Sequence, residues 1–220
     1  TEILRENLQR GVKVTARFEN LNLGDGIAKV QKAVADLNVP NSIRVEYGGQ
    51  YAEQQRSFRD LAFVLTLAIV LVFMVLLFEF GGFSAPIAVL SSALLSTAGV
   101  FLALLVTRTT FNLSSFMGLI MVVGIVAKNG ILLLDADQRF RSEGVPPEEA
   151  MIRAGERRLR PIMMTALATV AGMLPLAFAF GAGSQMLQPL AIAVIGGILA
   201  SMVLSLVVTP AVRFYVGGRN

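Results

Sequence analysis

Lys128 is the residue of this chain best suited to ion chemistry, because it is a lone cation in a long apolar stretch. No charged residue occurs from Thr109 to Ala127 or from Asn129 to Leu134. An ammonium at the centre of a membrane helix costs at least about 3 kcal/mol on insertion scales, and such residues usually mark an ion or substrate path. The alternative is that the lysine stem reaches the membrane surface near Leu134, about 9 Å further along a helix.

Polar side chains also stand near the start of a later apolar stretch. Thr165 and Thr169 are one helical turn apart and place two hydroxyls on one face. Such hydroxyls can instead bond to carbonyls of their own helix. Arg158 belongs to the basic cluster 157–160 before them, and basic clusters at helix ends often only orient the helix in the membrane. Both alternatives stay open at this point.

Composition places the chain among membrane proteins. Hydrophobic residues make up 55% of it, charged residues 15%, and the mean hydropathy is +0.67. Residues 1–60 hold nine of the 19 Lys/Arg and eight of the 15 Asp/Glu, and residues 135–160 hold six of each. The net charge of +4 is therefore the remainder of two balanced regions, and it does not indicate nucleic-acid binding.

No pattern in the chain predicts an enzyme, a bound cofactor or a metal site. Cysteine and histidine are absent, which excludes disulfides, thiolate metal sites and the commonest general base. The chain also lacks a phosphate-binding loop, a nucleophile-elbow G-x-S-x-G and an H-E-x-x-H motif. It opens on Thr1 in a polar segment without a signal-peptide pattern, and we interpret it as a piece of a longer polypeptide.

Five apolar stretches are long enough to cross a bilayer, whose core needs roughly 20 apolar residues per helix. We predict spans near 61–79, 86–106, 114–134, 162–180 and 189–212. Residues 61–216 are therefore expected to form a transmembrane helix bundle, with 135–160 as a loop within it. That loop carries six Lys/Arg, whereas the short loops 107–113 and 181–188 hold only Arg108. The positive-inside rule places 135–160 and the C-terminus in the cytoplasm, and residues 1–60 on the opposite side.

Residues 1–49 show the pattern of a small α/β unit. Alternating apolar residues at 12–18 and 43–47 predict two strands, and the apolar residues from Ile27 to Leu37 follow helical spacing. We expect one βαβ unit with parallel strands, too small to be stable alone, and a connecting helix at 50–60. The predicted fold class is mostly α: a bundle of five spans preceded by a partial βαβ element.

Small residues four apart predict close helix contacts within the bundle. Three such pairs occur: Ser114/Gly118, Ala168/Gly172 and Ala193/Gly197.

Three motifs resemble resistance–nodulation–division (RND) efflux permeases. The run from Gly118 to Asp135, GLIMVVGIVAKNGILLLD, resembles the tenth span of that family. RLRPIMMTALA, which starts at Arg158, looks like the start of the eleventh, and QPLAIAVIGG from Gln188 looks like the twelfth. The resemblance implies spans eight to twelve of a twelve-span protein. Residues 1–49 would then end a periplasmic, ferredoxin-like porter subdomain.

The resemblance also implies a function and a site. The family exports substrates from the inner membrane with the energy of the proton gradient, as a homotrimer joined to a periplasmic adaptor and an outer-membrane channel. Its proton relay maps here to Lys128, Arg158 and Thr165, with Asn129 after the lysine, and its aspartate pair lies outside this chain. We therefore expect export of drugs or other hydrophobic or amphiphilic compounds.

Two alternatives to drug export remain. One is export of heavy-metal cations by a permease of the same family. The other belongs to a different class: a protein-export auxiliary or a non-transporting assembly fragment.

Overall fold

The structure, a computed structural model, describes residues 4–6, 9–12, 14–15, 23–37, 39–40, 43, 45–181 and 183–217. The chain divides into two compact units, Thr1–Arg56 and Ser57–Asn220.

The first unit contains a short hairpin and a helix. Strands β1 (Leu4–Glu6) and β2 (Gln9–Gly11) pair antiparallel with Arg5 opposite Arg10. Helix α1 (Leu23–Asp36) lies where apolar spacing predicted a helix, and its Ile27, Val30 and Val34 are half-buried.

The prediction of a parallel βαβ unit is not supported. The strands that the structure describes lie before the expected segment 12–18 and pair antiparallel rather than parallel. Val12 and Val14 are 93% and 87% exposed, and residues 45–47 form no strand. The rest of the expected strands, including 16–18 and Arg44, lies outside the described residues. A strand needs neighbours that bond its N–H and C=O groups, and in this region the described residues provide only one short pair.

Five long helices follow: α2 (Gln50–Phe80), α3 (Ser84–Val106), α4 (Leu113–Ser142), α5 (Pro147–Ala177) and α6 (Gln188–Gly217). Each is long and apolar enough to cross a membrane, which confirms the five predicted spans and the mostly helical fold. The expected loop 135–160 is corrected, because α4 and α5 continue through most of it and leave only 143–146 between them. The predicted connecting helix 50–60 is likewise continuous with the first span.

The ends of α4 follow from local chemistry. Asn112 and Ser115 form a capping box at its start, with bonds of 3.0 Å and 2.8 Å between side chains and backbone N–H groups. At its end, Gly144 takes a left-handed conformation with φ of 85°. The N–H groups of Gly144 and Val145 then bond to the carbonyls of Arg141 and Phe140, which closes the last turn.

Helix α6 packs against α3 and α4 through glycines. A Cβ on Gly99 of α3 would lie 2.6 Å from the carbonyl oxygen of Gly196, and one on Gly118 of α4 would lie 2.9 Å from that of Leu190. A Cβ on Gly197 would meet the Val122 side chain at 2.5 Å. The pairs Ser114/Gly118 and Ala193/Gly197 therefore supply close contacts, as predicted.

The third small-residue pair has no packing partner among the described residues. Ala168 and Gly172 are exposed on α5, and a Cβ on Gly172 would have no neighbour within 4 Å.

Candidate ion-coupling site

Lys128 lies on the outer face of the bundle. Its neighbours Ala127 and Asn129 are buried, whereas Lys128 itself is exposed. Met121 and Gly124 are exposed on the same face of α4, seven and four residues earlier. Among the residues that the structure describes, none forms an ion pair with Lys128. The ammonium is thus displayed in the middle of an apolar helix without a counter-ion from the described part of the chain.

An ion pair joins α4 to α5 on this surface. An Nη of Arg158 lies 3.7 Å from a carboxylate oxygen of Asp135. Arg158 Nε is buried and has no hydrogen-bond partner among the residues that the structure describes. Asp135 follows Lys128 by seven residues, which is two helical turns, so both lie on one face of α4 about 10 Å apart along the axis. Arg158 is therefore connected to the Lys128 face through Asp135.

Thr165 lies at the depth of Lys128. Helices α4 and α5 run antiparallel across the short turn 143–146, and Thr165 follows Arg158 by the seven residues that separate Lys128 from Asp135. Its hydroxyl donates to the carbonyls of Pro161 and Ile162, both at 3.0 Å, and that of Thr169 donates to the carbonyl of Thr165 at 2.8 Å. Both threonines thus bond to their own helix in this conformation.

Asn129 is separated from these residues. It is only 7% exposed and points into the bundle, beside Gly130, whose added Cβ would lie 2.8 Å from Val89 of α3. The structure therefore gathers Lys128, Arg158 and Thr165 on one surface and places Asn129 in the packing between helices.

A second ionic cluster was not anticipated from the sequence. The Asp137 side chain is fully buried on α4, and its carboxylate lies 3.0 Å from Nε of Arg141 and 3.3 Å from Nε of Arg213 on α6. This cluster, Asp137/Arg141/Arg213, joins the ends of two helices as a fixed ion pair network.

The feature of the sequence that could have identified this cluster is the helical spacing of buried positions on α4 and α6. The loop predicted for 135–160 places its charges on no helix face, whereas α4 continues through Asp137 to Ser142. Continuing the buried positions Gly130, Leu133 and Leu134 by one turn reaches Asp137. On α6, Arg213 likewise continues the buried positions Ser205 and Thr209 at a spacing of four residues.

Metal ligands are not clustered in the described ranges. No group of three or more Asp, Glu, His or Cys side chains in them is arranged to hold a metal ion.

Comparison with known proteins gives one family. Residues 1–217 match the AcrB/AcrD/AcrF family. The chain is 37% identical over 200 residues to the swarming motility protein SwrC of Bacillus subtilis. It is 34% identical to the nickel-cobalt-cadmium resistance protein NccA of Alcaligenes xylosoxydans xylosoxydans over 212 residues, and 34% to the multidrug resistance protein MdtC of Erwinia amylovora over 198.

The alignments cover nearly all of this chain but only a small part of each relative. These alignments include 90%, 96% and 90% of this chain but 19%, 20% and 19% of the relatives, so the chain spans about a fifth of their length. The structure is similar to a crystal structure of a heavy metal efflux pump, with a TM-score of 0.79 and 33% identity, over 90% of this chain and 20% of that one.

Proposed function

The chain belongs to the AcrB/AcrD/AcrF family of RND permeases, and from that membership we propose that it is part of a secondary active permease that exports small molecules with the energy of the proton gradient. The observation that carries this proposal is Lys128, an ammonium exposed in the middle of an apolar helix, two turns from the pair Arg158–Asp135 on the same face of α4.

Lys128 is the cation of the proposed coupling, and its stabilisation depends on whether the carboxylates near it are protonated. An ammonium in a low-dielectric environment is stabilised by ionised carboxylates and loses that stabilisation when they are protonated. We place those carboxylates in the part of the permease outside this chain, against the Lys128 face. Protons taken up from one side neutralise them, and protons released to the other side restore their attraction for Lys128.

Such a change in pairing can alternate the bundle between two packings. Arg158 and Thr165 act at the edge of the same surface. The ion pair with Asp135 holds the Arg158 guanidinium at that edge. The Thr165 hydroxyl exchanges its hydrogen bonds to the carbonyls of its own helix for a hydrogen bond to the part of the permease outside this chain. Helix movement then transmits the proton step to the substrate pathway.

For the substrate we propose drugs or other hydrophobic and amphiphilic compounds. This choice is supported by MdtC, whose name describes multidrug resistance, and by the lack of a clustered metal-ligand set among the described residues. Heavy-metal cations are the second candidate, because NccA is named for nickel, cobalt and cadmium resistance and the similar solved structure is that of a heavy metal efflux pump.

The proposal includes a location and partners. We propose that the permease is a homotrimer in the inner membrane, joined to a periplasmic adaptor and an outer-membrane channel. Residues 1–60 would face the periplasm, and the turn 143–146 with the C-terminus would face the cytoplasm. Family membership supports this arrangement, and the positive-inside rule supports its orientation.

The decisive experiment is Lys128→Ala in the complete permease, reconstituted in liposomes with an imposed pH gradient. We expect gradient-driven movement of a fluorescent organic cation to be lost while abundance and trimer formation stay normal. Met121→Ala is the matched control, since Met121 lies on the same face of α4, and it should retain transport. Normal transport by Lys128→Ala would contradict the proposal, because a lysine that only reaches for the membrane surface is dispensable.

The same liposomes separate the two substrate classes. Cadmium ions replace the organic cation in a parallel assay. Gradient-driven movement of cadmium without movement of the dye would favour the metal candidate.

A further inference from the structure

Helix α6 carries buried hydroxyl groups at intervals of four residues, from Ser201 through Ser205 to Thr209. All three side chains are fully buried, and the interval of one helical turn places neighbouring hydroxyls on the same side of the helix. Arg213 follows at the same interval, and its Nε lies 3.3 Å from the carboxylate of Asp137 on α4. The hydroxyls therefore lead through the interior of the bundle to the buried ion pair network.

The contacts between α4 and α6 give the depth of these hydroxyls. A Cβ on Gly197 would lie 2.5 Å from the Val122 side chain, and Arg213 contacts Asp137. The first two residues are 75 positions apart in the chain and the second two are 76 apart, so the helices run parallel in a nearly constant register. Thr209 precedes Arg213 by one turn and consequently lies about 6 Å along the axis from the depth of Asp137.

Three side-chain oxygens in this region are buried and have no hydrogen-bond partner among the residues that the structure describes: Ser205 Oγ, Thr209 Oγ1 and Asp137 Oδ2. The hydroxyl of Ser201, by contrast, donates to the carbonyl of Ile198 at 2.8 Å. A buried polar atom without a hydrogen bond is unfavourable, because its desolvation is not compensated. Three such atoms in succession indicate a ligand that bonds to all of them.

The groups around these oxygens select a small, neutral ligand. The Nε of Arg141 donates to Oδ1 of Asp137 at 3.1 Å, so Oδ2 is the oxygen that can accept a further hydrogen bond. The guanidiniums of Arg141 and Arg213 disfavour a cation beside Asp137, and its carboxylate disfavours an anion. Side chains one turn apart on a helix are separated by about 5–6 Å, which two hydrogen bonds of about 2.8 Å can span. Water has this size, and it donates and accepts as two hydroxyls and a carboxylate require.

We propose that the interior of the bundle between α4 and α6 binds two ordered water molecules. One bridges Ser205 to Thr209, and the other bridges Thr209 to Oδ2 of Asp137. Buried water typically bonds to polar groups that have no other partner, and it then becomes a fixed part of the structure. The three oxygens are buried within this chain, away from the exposed Lys128, and the site does not rest on the proposed function.

Cryo-electron microscopy of the complete permease in nanodiscs tests the site directly, at a resolution that shows ordered water. We expect two density peaks within about 3.2 Å of Thr209 Oγ1, one toward Ser205 and one toward Asp137. Thr209→Val keeps the shape of the side chain but removes the hydroxyl, so both peaks should be lost from its map. Absence of either peak from the unmodified permease would overturn the proposal, and so would peaks that persist in Thr209→Val.

A matched pair of alanine variants tests the site by stability. Ser205 and Ser201 are both fully buried on α6, but of the two only Ser201 bonds to a carbonyl of its own helix. Ser205→Ala removes a hydroxyl that holds a water molecule, so it should lower the thermal midpoint of unfolding more than Ser201→Ala does. A Ser205 hydroxyl buried without a ligand would instead be unsatisfied, and its removal would raise the midpoint. A midpoint for Ser205→Ala at or above that of Ser201→Ala would contradict the water site.

Discussion

The carboxylate of Asp135 on α4 lies 3.7 Å from the guanidinium of Arg158 on α5. This pair marks the register of the two helices, because Lys128 precedes Asp135 by seven residues and Thr165 follows Arg158 by seven. Lys128 and Thr165 consequently lie at one depth of the bundle. This arrangement would allow the Thr165 hydroxyl to exchange hydrogen-bond partners at the depth of the Lys128 ammonium.

Thr165→Val should reduce proton-driven transport in the complete permease, because it removes the hydroxyl at the depth of Lys128. Thr169→Val is the matched control: its hydroxyl also bonds to a carbonyl of its own helix, one turn further along. We expect the control to retain transport. Initial rates over a series of pH gradients measure the effect, and equal rates for the two variants would show that Thr165 only completes its helix.

Asp137→Asn should destabilise the protein far more than Asp135→Asn, although the two positions are two residues apart on one helix. The Asp137 side chain is fully buried between two arginines, whereas that of Asp135 is 55% exposed. Removing one partner of a buried ion pair costs about 3–5 kcal/mol, and an exposed pair contributes about 0–1 kcal/mol. Denaturant unfolding of the purified permease compares them. Similar losses would mean that water solvates Asp137.

Gly99→Ala and Gly155→Ala should change stability in opposite directions. A methyl group at Gly99 would lie 2.6 Å from the Gly196 carbonyl oxygen and must push α3 from α6, which costs typically 1–3 kcal/mol for an overpacked core. At Gly155 of α5 a methyl group would meet none of the described residues within 4 Å and should stabilise the protein by roughly 0.5–1 kcal/mol through helix propensity. The thermal midpoint in detergent is the measurement. A stabilised Gly99→Ala protein would show that the α3–α6 contact is looser than described.

The proposed orientation of the bundle predicts which end reacts with a thiol reagent added from outside the cell. Cysteines introduced singly at Ser142 and Gln185, in an otherwise cysteine-free permease, lie near opposite ends of the bundle. An impermeant thiol reagent added to spheroplasts should modify Gln185→Cys and spare Ser142→Cys. Labelling of Ser142→Cys alone would reverse the orientation.

The helical part of the fold could be predicted from the sequence because its signal is local. An apolar run of about 20 residues needs no partner to satisfy its backbone, so the stretches containing Lys128 and Pro161 predict helices by length alone. The small pairs around Gly118 and Gly197 also identified contacts, because only small residues permit such close approach. Lys128 was recognisable for the same local reason, as a charge in an uncharged run.

The prediction of these strands was wrong because the hydrogen bonds of a strand depend on neighbouring strands. Alternation at Val12 and Val14 is compatible with a strand but does not provide one to pair with, and both side chains are exposed. An alternating pattern does not identify the neighbouring strands to which a predicted strand would bond.

Tertiary structure alone decided which charges meet. The sequence by itself determined five helices, a lone cation in an otherwise uncharged apolar stretch and a family resemblance, since these depend on residue type and spacing. It did not determine that Asp135 pairs with Arg158 or that Asp137 is buried against Arg213, some 76 residues further along the chain. Such pairs depend on the rotation and register of packed helices. For α6, the glycine contacts with α3 and α4 bring residues distant in sequence to a common depth.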